Sequence, residues 1–145
     1  HEDVPIYTFH VVSVTSERLG YIEIYTETAP DVPFQIIDNI DGWQSDTLAQ
    51  FFNVHDINFD GYLDIGVLID GGASWGAYQY WVFEPKTGMF VEAPVSTDFL
   101  NIRYNKIEFD KENKQVIAYT LHATETGSNK QVYQFADGRF QLLKK

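Results

Sequence analysis

Carboxylate and amide oxygens recur at positions 1, 3, 5 and 9 of residues 56–64, in Asp56, Asn58, Asp60 and Asp64. Position 6 is Gly61, where a tight turn directs alternate side chains and one backbone carbonyl towards a common centre. Ca²⁺ prefers six to eight hard oxygen ligands, and the carbonyl would come from Tyr62 at position 7. The spacing therefore predicts a calcium site in this loop.

The loop departs from an EF-hand, because position 12 is Val67 where a bidentate Glu is required. Strands rather than helices are predicted on both sides, so we expect Asp64 to bind the metal directly. Three carboxylates close together repel one another, and a divalent cation would offset most of that charge. The alternative is a turn of Asp, Asn and Gly that joins two strands and leaves its carboxylates in water.

A glycine-rich segment follows at residues 70–78. Residues 72–76, Gly-Ala-Ser-Trp-Gly, match the nucleophile elbow of serine hydrolases, but that motif needs a helix after the serine, and residues 77–83 alternate like a strand. We therefore expect no catalytic triad. We also expect no enzyme, the alternative being a small glycosidase that uses a pair of carboxylates. The glycines allow a loop that projects Ser74 and Trp75 from the sheet. Its functional role would be insertion into the cleft of a partner; the alternative is a hairpin tip with Trp75 folded onto the core.

Short alternating apolar runs predict an all-β fold, built from successive antiparallel hairpins in one domain spanning residues 1–145. In the run from Leu63 to Ile69 the odd positions share one face, and Leu68 makes the other face partly apolar, which favours a central strand. Serial hairpins form either a β-sandwich or a small propeller-like ring. Residues 45–52 and 96–102 are the two places where a helical turn is expected.

The composition of the chain narrows the classes of function and of partner that we expect. The chain has 145 residues, 16% of them aromatic, no cysteine and a formal net charge of -11. Nucleic acids and anionic membranes would be repelled, so a cation or a basic protein is the favoured partner. No apolar run reaches the roughly 18 residues of a membrane span. The first residue is His1 rather than Met, which leads us to expect a mature or trimmed form.

Residues 54–64, 78–83, 87–90 and 109–114 together resemble a family of small Gram-negative envelope proteins, some of which are immunity proteins or inhibitors of lysozyme-like peptidoglycan hydrolases. The resemblance implies a propeller-like body stabilised by the calcium loop, with an inhibitory loop that enters the lysozyme cleft. Inhibitors of several folds use a Ser-Gly-x-x-Tyr motif, and this chain has Ser74-Trp75-Gly76-Ala77-Tyr78, with the glycine one place late. The resemblance thus adds Tyr78 to Ser74 and Trp75 as candidate partner contacts.

Two functions follow as expectations. The first is a calcium-binding protein that blocks a basic, lysozyme-like cell-wall hydrolase. Calcium loops of extracellular modules bind with Kd on the order of 10⁻⁴ to 10⁻³ M, which favours the periplasm or the cell exterior, where calcium is plentiful. The second is a carbohydrate- or peptidoglycan-binding module that uses exposed rings of tyrosines and of Trp43, Trp75 and Trp81.

Overall fold

The computed structural model describes residues 5–13, 19–38, 40, 52–72, 75–93, 106–121, 128–136 and 139–144, and within them the regular structure is entirely β. The eleven strands of this part are β1 Tyr7–Ser13, β2 Leu19–Thr26, β3 Gln35–Ile37, β4 Phe52–His55, β5 Asp64–Gly72, β6 Trp75–Glu84, β7 Met89–Glu92, β8 Lys106–Asp110, β9 Gln115–Leu121, β10 Ser128–Ala136 and β11 Arg139–Lys144. The predicted all-β class is confirmed.

The strands form three antiparallel sheets, each a meander in chain order. The first sheet contains β1, β2 and β3, the central sheet contains β4 to β7, and the third sheet contains β8 to β11. Every pairing is between strands adjacent in sequence, which confirms the predicted succession of hairpins. Their closure into a propeller-like ring stays a prediction.

Side-chain alternation explains why these segments pair as strands. In β2, Ile22 and Ile24 are fully buried, whereas Tyr21, Glu23 and Tyr25 on the opposite face remain partly exposed. β5 pairs with both β4 and β6 and is therefore an inner strand, as predicted from Leu68. Leu68 itself packs at the margin of an apolar core.

The central sheet has apolar cores on both of its faces. The first core joins it to the first sheet and is formed by Ile22, Ile24, Ile37, Ile40, Ile65, Val67, Trp81, Phe83 and Phe90. The second core joins it to the third sheet and is formed by Ile57, Tyr80, Ala93, Val116, Ala118, Tyr133 and Phe140. Neighbouring residues of β6, such as Tyr80 and Trp81, thus pack into different cores, because successive side chains of a strand point to opposite faces of the sheet.

The first sheet is also tied to the central sheet by polar contacts. Gln35 on β3 uses its amide group twice, since its Nε2 donates to the Phe90 carbonyl at 2.6 Å and its Oε1 accepts from the Phe90 N–H at 2.9 Å. The Tyr7 hydroxyl donates to the Gly88 carbonyl at 2.9 Å. Gly88 has φ of +72°, which the turn between β6 and β7 requires and which glycine adopts without strain.

Two local expectations need revision. The strand β7 at Met89–Glu92 was not expected from the sequence. The glycine-rich segment 70–78, expected as a loop, is mostly strand: Asp70, Gly71 and Gly72 of β5 pair with Ala77, Gly76 and Trp75 of β6. The two predicted helical turns lie outside the described residues, apart from Phe52, which begins β4.

Candidate functional site

The predicted calcium loop connects β4 to β5 at one end of these two strands of the central sheet. Two of its residues have positive φ, Phe59 at +61° and Gly61 at +94°. These left-handed conformations interrupt the extended backbone, and glycine at the second position avoids steric strain. The path brings the backbone N–H groups of residues 60–62 towards the polar side chains that precede them.

Asp56, Asn58 and Asp60 lie together in this loop. The N–H of Asp60 donates to Asp56 Oδ1 at 3.1 Å and to Asn58 Oδ1 at 3.2 Å, so two predicted ligand oxygens lie beside one nitrogen. Asp56 Oδ2 accepts from Gly61 N–H at 3.0 Å. Asp60 Oδ1 accepts from Tyr62 N–H at 2.9 Å, and Asp60 Oδ2 accepts from Asn58 Nδ2 at 2.9 Å. Each predicted side-chain ligand at positions 1, 3 and 5 is therefore oriented by the loop.

Asp64, the fourth predicted side-chain ligand, is completely buried at the base of the loop. Its Oδ2 accepts from Ile57 N–H at 2.9 Å, and its Oδ1 accepts from Phe83 N–H at 2.8 Å. Burial raises the pKa of Asp64 to about 7, and the charges of Asp60 and Asp56 act in the same direction, while the two N–H donors oppose the rise. The carboxylate thus joins the loop to β6 as well as lying near the other acidic side chains.

Apolar residues of the loop fix it to both cores. Ile57 is buried in the second core, and Phe59 packs at the margin of the same core. The ring of Tyr62 packs against the first core, with its centroid 5.4 Å from that of Phe83. The segment that carries the polar oxygens is consequently anchored by its apolar residues in the cores on both faces of the central sheet.

The donor set has the chemistry that calcium requires. Ionised carboxylates have about four lone-pair positions, so an oxygen that accepts one N–H retains capacity for a metal ion. Within the described part of the chain, however, no group of three or more His, Asp or Glu side chains is arranged as a ready metal site. Calcium binding by Asp56, Asn58, Asp60, Tyr62 and Asp64 therefore stays a prediction. It is supported by the hydrogen bonds that bring side-chain oxygens of Asp56, Asn58 and Asp60 around one turn.

The β5–β6 hairpin connects the calcium loop to the predicted partner contacts. Its tip lies between Gly72 and Trp75, which pair across the two strands. Ser74 lies outside the described residues, and of Trp75 only the backbone is described. Tyr78 is half-buried at the margin of the second core, and its ring stacks on that of Tyr80 at 6.3 Å. A packing role therefore accompanies any contact that Tyr78 makes with a partner.

Two of the histidines have aromatic neighbours. The His10 ring lies 4.7 Å from that of Tyr25, and the His55 ring stacks 4.6 Å from that of Phe109, which connects β4 to β8. Burial lowers the pKa of His55, and the charge of Lys111 lowers it further.

The three tryptophan rings considered for sugar binding differ in what the structure describes. Trp81 is buried in the first core, and the side chains of Trp43 and Trp75 lie outside the described part.

Comparisons of the chain with protein-family models, with curated proteins and with solved structures gave no match. Within the described residues, no helix has the length and apolar character needed to cross a bilayer.

Proposed function

We propose that this protein is a calcium-binding inhibitor of the cell envelope, which blocks a lysozyme-like peptidoglycan hydrolase by inserting the tip of the β5–β6 hairpin into its cleft. The observation that carries the proposal is the position of Asp64. It accepts hydrogen bonds from Ile57 in the loop and from Phe83 on β6, so the candidate metal site and the hairpin share one buried carboxylate.

Calcium would act on the loop by screening the charges of Asp56, Asp60 and Asp64. Burial and mutual repulsion make the ionised form of Asp64 costly in the folded protein, as its raised pKa indicates. A bound divalent cation would offset this cost and hold the base of the hairpin in one conformation. Such preorganisation reduces the entropy that is lost when a loop binds its partner.

The proposed inserting element is the end of the β5–β6 hairpin. Past a bulge between Leu68 and Asp70, the described strands β5 and β6 remain paired as far as Gly72 and Trp75. The net charge of -11 would speed encounter with a basic hydrolase through electrostatic steering.

A thermal unfolding experiment tests the metal part of the proposal. We expect millimolar calcium to raise the melting temperature of the wild-type protein above its value in EGTA, because a ligand that binds the folded state stabilises it. Asp60→Asn should lose most of this increase. Asp31→Asn, which changes an exposed acid in a turn of the first sheet, is the matched control and should keep it. Equal melting temperatures of the wild type in calcium and EGTA would contradict calcium binding.

An inhibition assay tests the partner. We expect the protein in calcium to slow cell-wall lysis by at least one enzyme in a panel of basic lysozyme-fold muramidases. Ser74→Arg should weaken this inhibition without lowering the melting temperature. Thr28→Arg adds the same charge at an exposed turn of the first sheet and should inhibit like the wild type. Absence of inhibition across the panel, with calcium stabilisation intact, would refute the inhibitor function and leave the metal site standing.

A further inference from the structure

An apolar pocket of about 260 Å³ lies between the first sheet and the loop end of the central sheet. Neither the calcium site nor the hairpin tip accounts for it. Half of the ten described residues that line it are aromatic, namely Tyr7, Phe9, Tyr62, Phe83 and Phe90. Gly61 and Tyr62 of the calcium loop also line the pocket, whereas Asp56, Asn58, Asp60 and Asp64 are not among its lining residues, so the pocket adjoins the loop without sharing its side-chain oxygens.

The aromatic walls are held in place by contacts with one another. Tyr7 meets Phe90 edge-on, with ring centroids 5.6 Å apart and an interplanar angle of 79°. Phe9 meets Phe90 in a similar way, at 5.6 Å and 72°. The Tyr7 hydroxyl donates to the Gly88 carbonyl, which fixes the direction of that ring. A ligand would therefore meet a largely preformed site, as small-molecule pockets usually present.

The pocket opens to solvent past two exposed aliphatic side chains. Val54 of β4 is 39% exposed and Leu63 is 60% exposed, and both line the opening. Among the described residues, no Asp, Glu, Lys, Arg or His lines the pocket. A charged group that entered it would lose its hydration without gaining a partner, and the net charge of -11 would additionally repel an anion.

We propose that this pocket binds a small uncharged aromatic molecule of one or two fused rings, with any polar substituent turned towards the opening. An apolar cavity of about 150 Å³ is large enough to bind benzene, and the volume here, about 260 Å³, has room for a second fused ring. Aromatic walls favour such a ligand, because rings attract one another in edge-to-face and offset arrangements.

Fluorine NMR with 5-fluoroindole as the probe tests the proposal without interference from the protein's tryptophans. We expect a saturable change in the probe signal, together with shifts in the amide signals of Phe9, Gly61 and Leu63. Val54→Trp, which places a large ring at the opening, should weaken binding about tenfold or more. Val91→Trp alters a comparably exposed valine on β7, also an outer strand of the central sheet, and should leave the affinity within about twofold. The anionic 5-fluoroindole-3-acetate should bind at least about tenfold more weakly than 5-fluoroindole.

A wild-type probe signal that changes only in proportion to concentration would overturn the proposal, as would amide shifts confined to other parts of the molecule. Equal affinity in folded Val54→Trp and Val91→Trp would also overturn it. The amide shifts of the wild type decide the question even where a variant fails to fold. Because the assay needs neither calcium nor a hydrolase, its failure leaves the proposed inhibitor function untouched.

Discussion

Asp64 accepts two buried backbone hydrogen bonds and is also a candidate calcium ligand, and these two roles make separable contributions to stability. Its bonds to Ile57 and Phe83 are made to backbone N–H groups. A buried N–H that loses its acceptor costs about 1–3 kcal/mol. The carboxylate should therefore stabilise the fold even in EGTA, whereas the exposed carboxylate of Asp60 should matter mainly when calcium is bound.

We expect Asp64→Ala to lower the free energy of unfolding in EGTA by at least about 2 kcal/mol, since two buried N–H groups lose their acceptor. Asp64→Asn keeps one acceptor and should give an intermediate loss. The comparison variant Asp60→Ala should lower the free energy of unfolding by less than about 1 kcal/mol in EGTA. The Tyr62 N–H, which donates to Asp60 in the wild type, is accessible to water and can donate to it instead. Urea titration with and without calcium measures all three; an equal loss in Asp64→Ala and Asp60→Ala would contradict the bridging role.

The sequence predicts the local part of this site better than its connections. Alternate spacing around Gly61 anticipates that Asp56, Asn58 and Asp60 come together, because a tight loop places every second side chain on one side. The bond from Phe83 to Asp64 spans 19 residues and depends on how β5 and β6 pair. No spacing rule within the loop contains that information. Calcium binding itself stays a prediction from the spacing and the donor chemistry.

At the level of elements, the central sheet allows no side chain at Gly66 on β5. A Cβ atom there would lie 2.3 Å from Asn53 Oδ1 and 2.6 Å from Tyr80 Cε1. Both neighbours belong to adjacent strands of the same sheet, and Tyr80 is fixed in the second core. Gly76 on β6 differs, because its Cβ would meet only the end of the flexible Leu68 side chain at 2.8 Å and the Tyr78 ring at 3.2 Å.

We therefore expect Gly66→Ala to destabilise the protein by about 1–3 kcal/mol, the usual cost of overpacking a core. Gly76→Ala should cost clearly less, because Leu68 can change rotamer and alanine favours an ordered chain more than glycine does. Chemical denaturation of the two variants side by side provides the measurement. Similar midpoints for both would show that β4 and β6 separate easily around Gly66.

The sequence predicts the ends of a strand well where apolar and polar side chains alternate strongly. It predicts them poorly where this alternation is missing. The runs that became β2 and β5 alternate over several residues and are predicted well. β7 has four residues, of which only Phe90 is buried, so its pattern is too short to distinguish from a turn. In the glycine-rich segment, Gly71 and Gly72 have no side chains to alternate, and pairing with β6 alone makes them strand.

At the scale of the whole molecule, the central sheet is the common support of both cores. Each face of β6 contributes a large buried ring, Trp81 to the first core and Tyr80 to the second. The sequence predicts the succession of hairpins, because each hairpin turn joins two strands that follow one another along the chain. The sequence does not predict which faces of the sheets pack together, since each core joins residues of sheets that are distant along the chain.

Because both cores depend on the central sheet, the described sheets should unfold together in one transition. Ile24→Val removes a buried methyl group from the first core, and Val116→Ala removes two from the second; each should cost about 1–2 kcal/mol. Far-ultraviolet circular dichroism reports all three sheets, whereas tryptophan fluorescence includes Trp81 of the first core. We expect both probes to show the same midpoint in the wild type and the same shift in each variant. If Val116→Ala produced an early transition in circular dichroism with no change in fluorescence, the third sheet would be an independent unit. The central sheet would then support only the first core cooperatively.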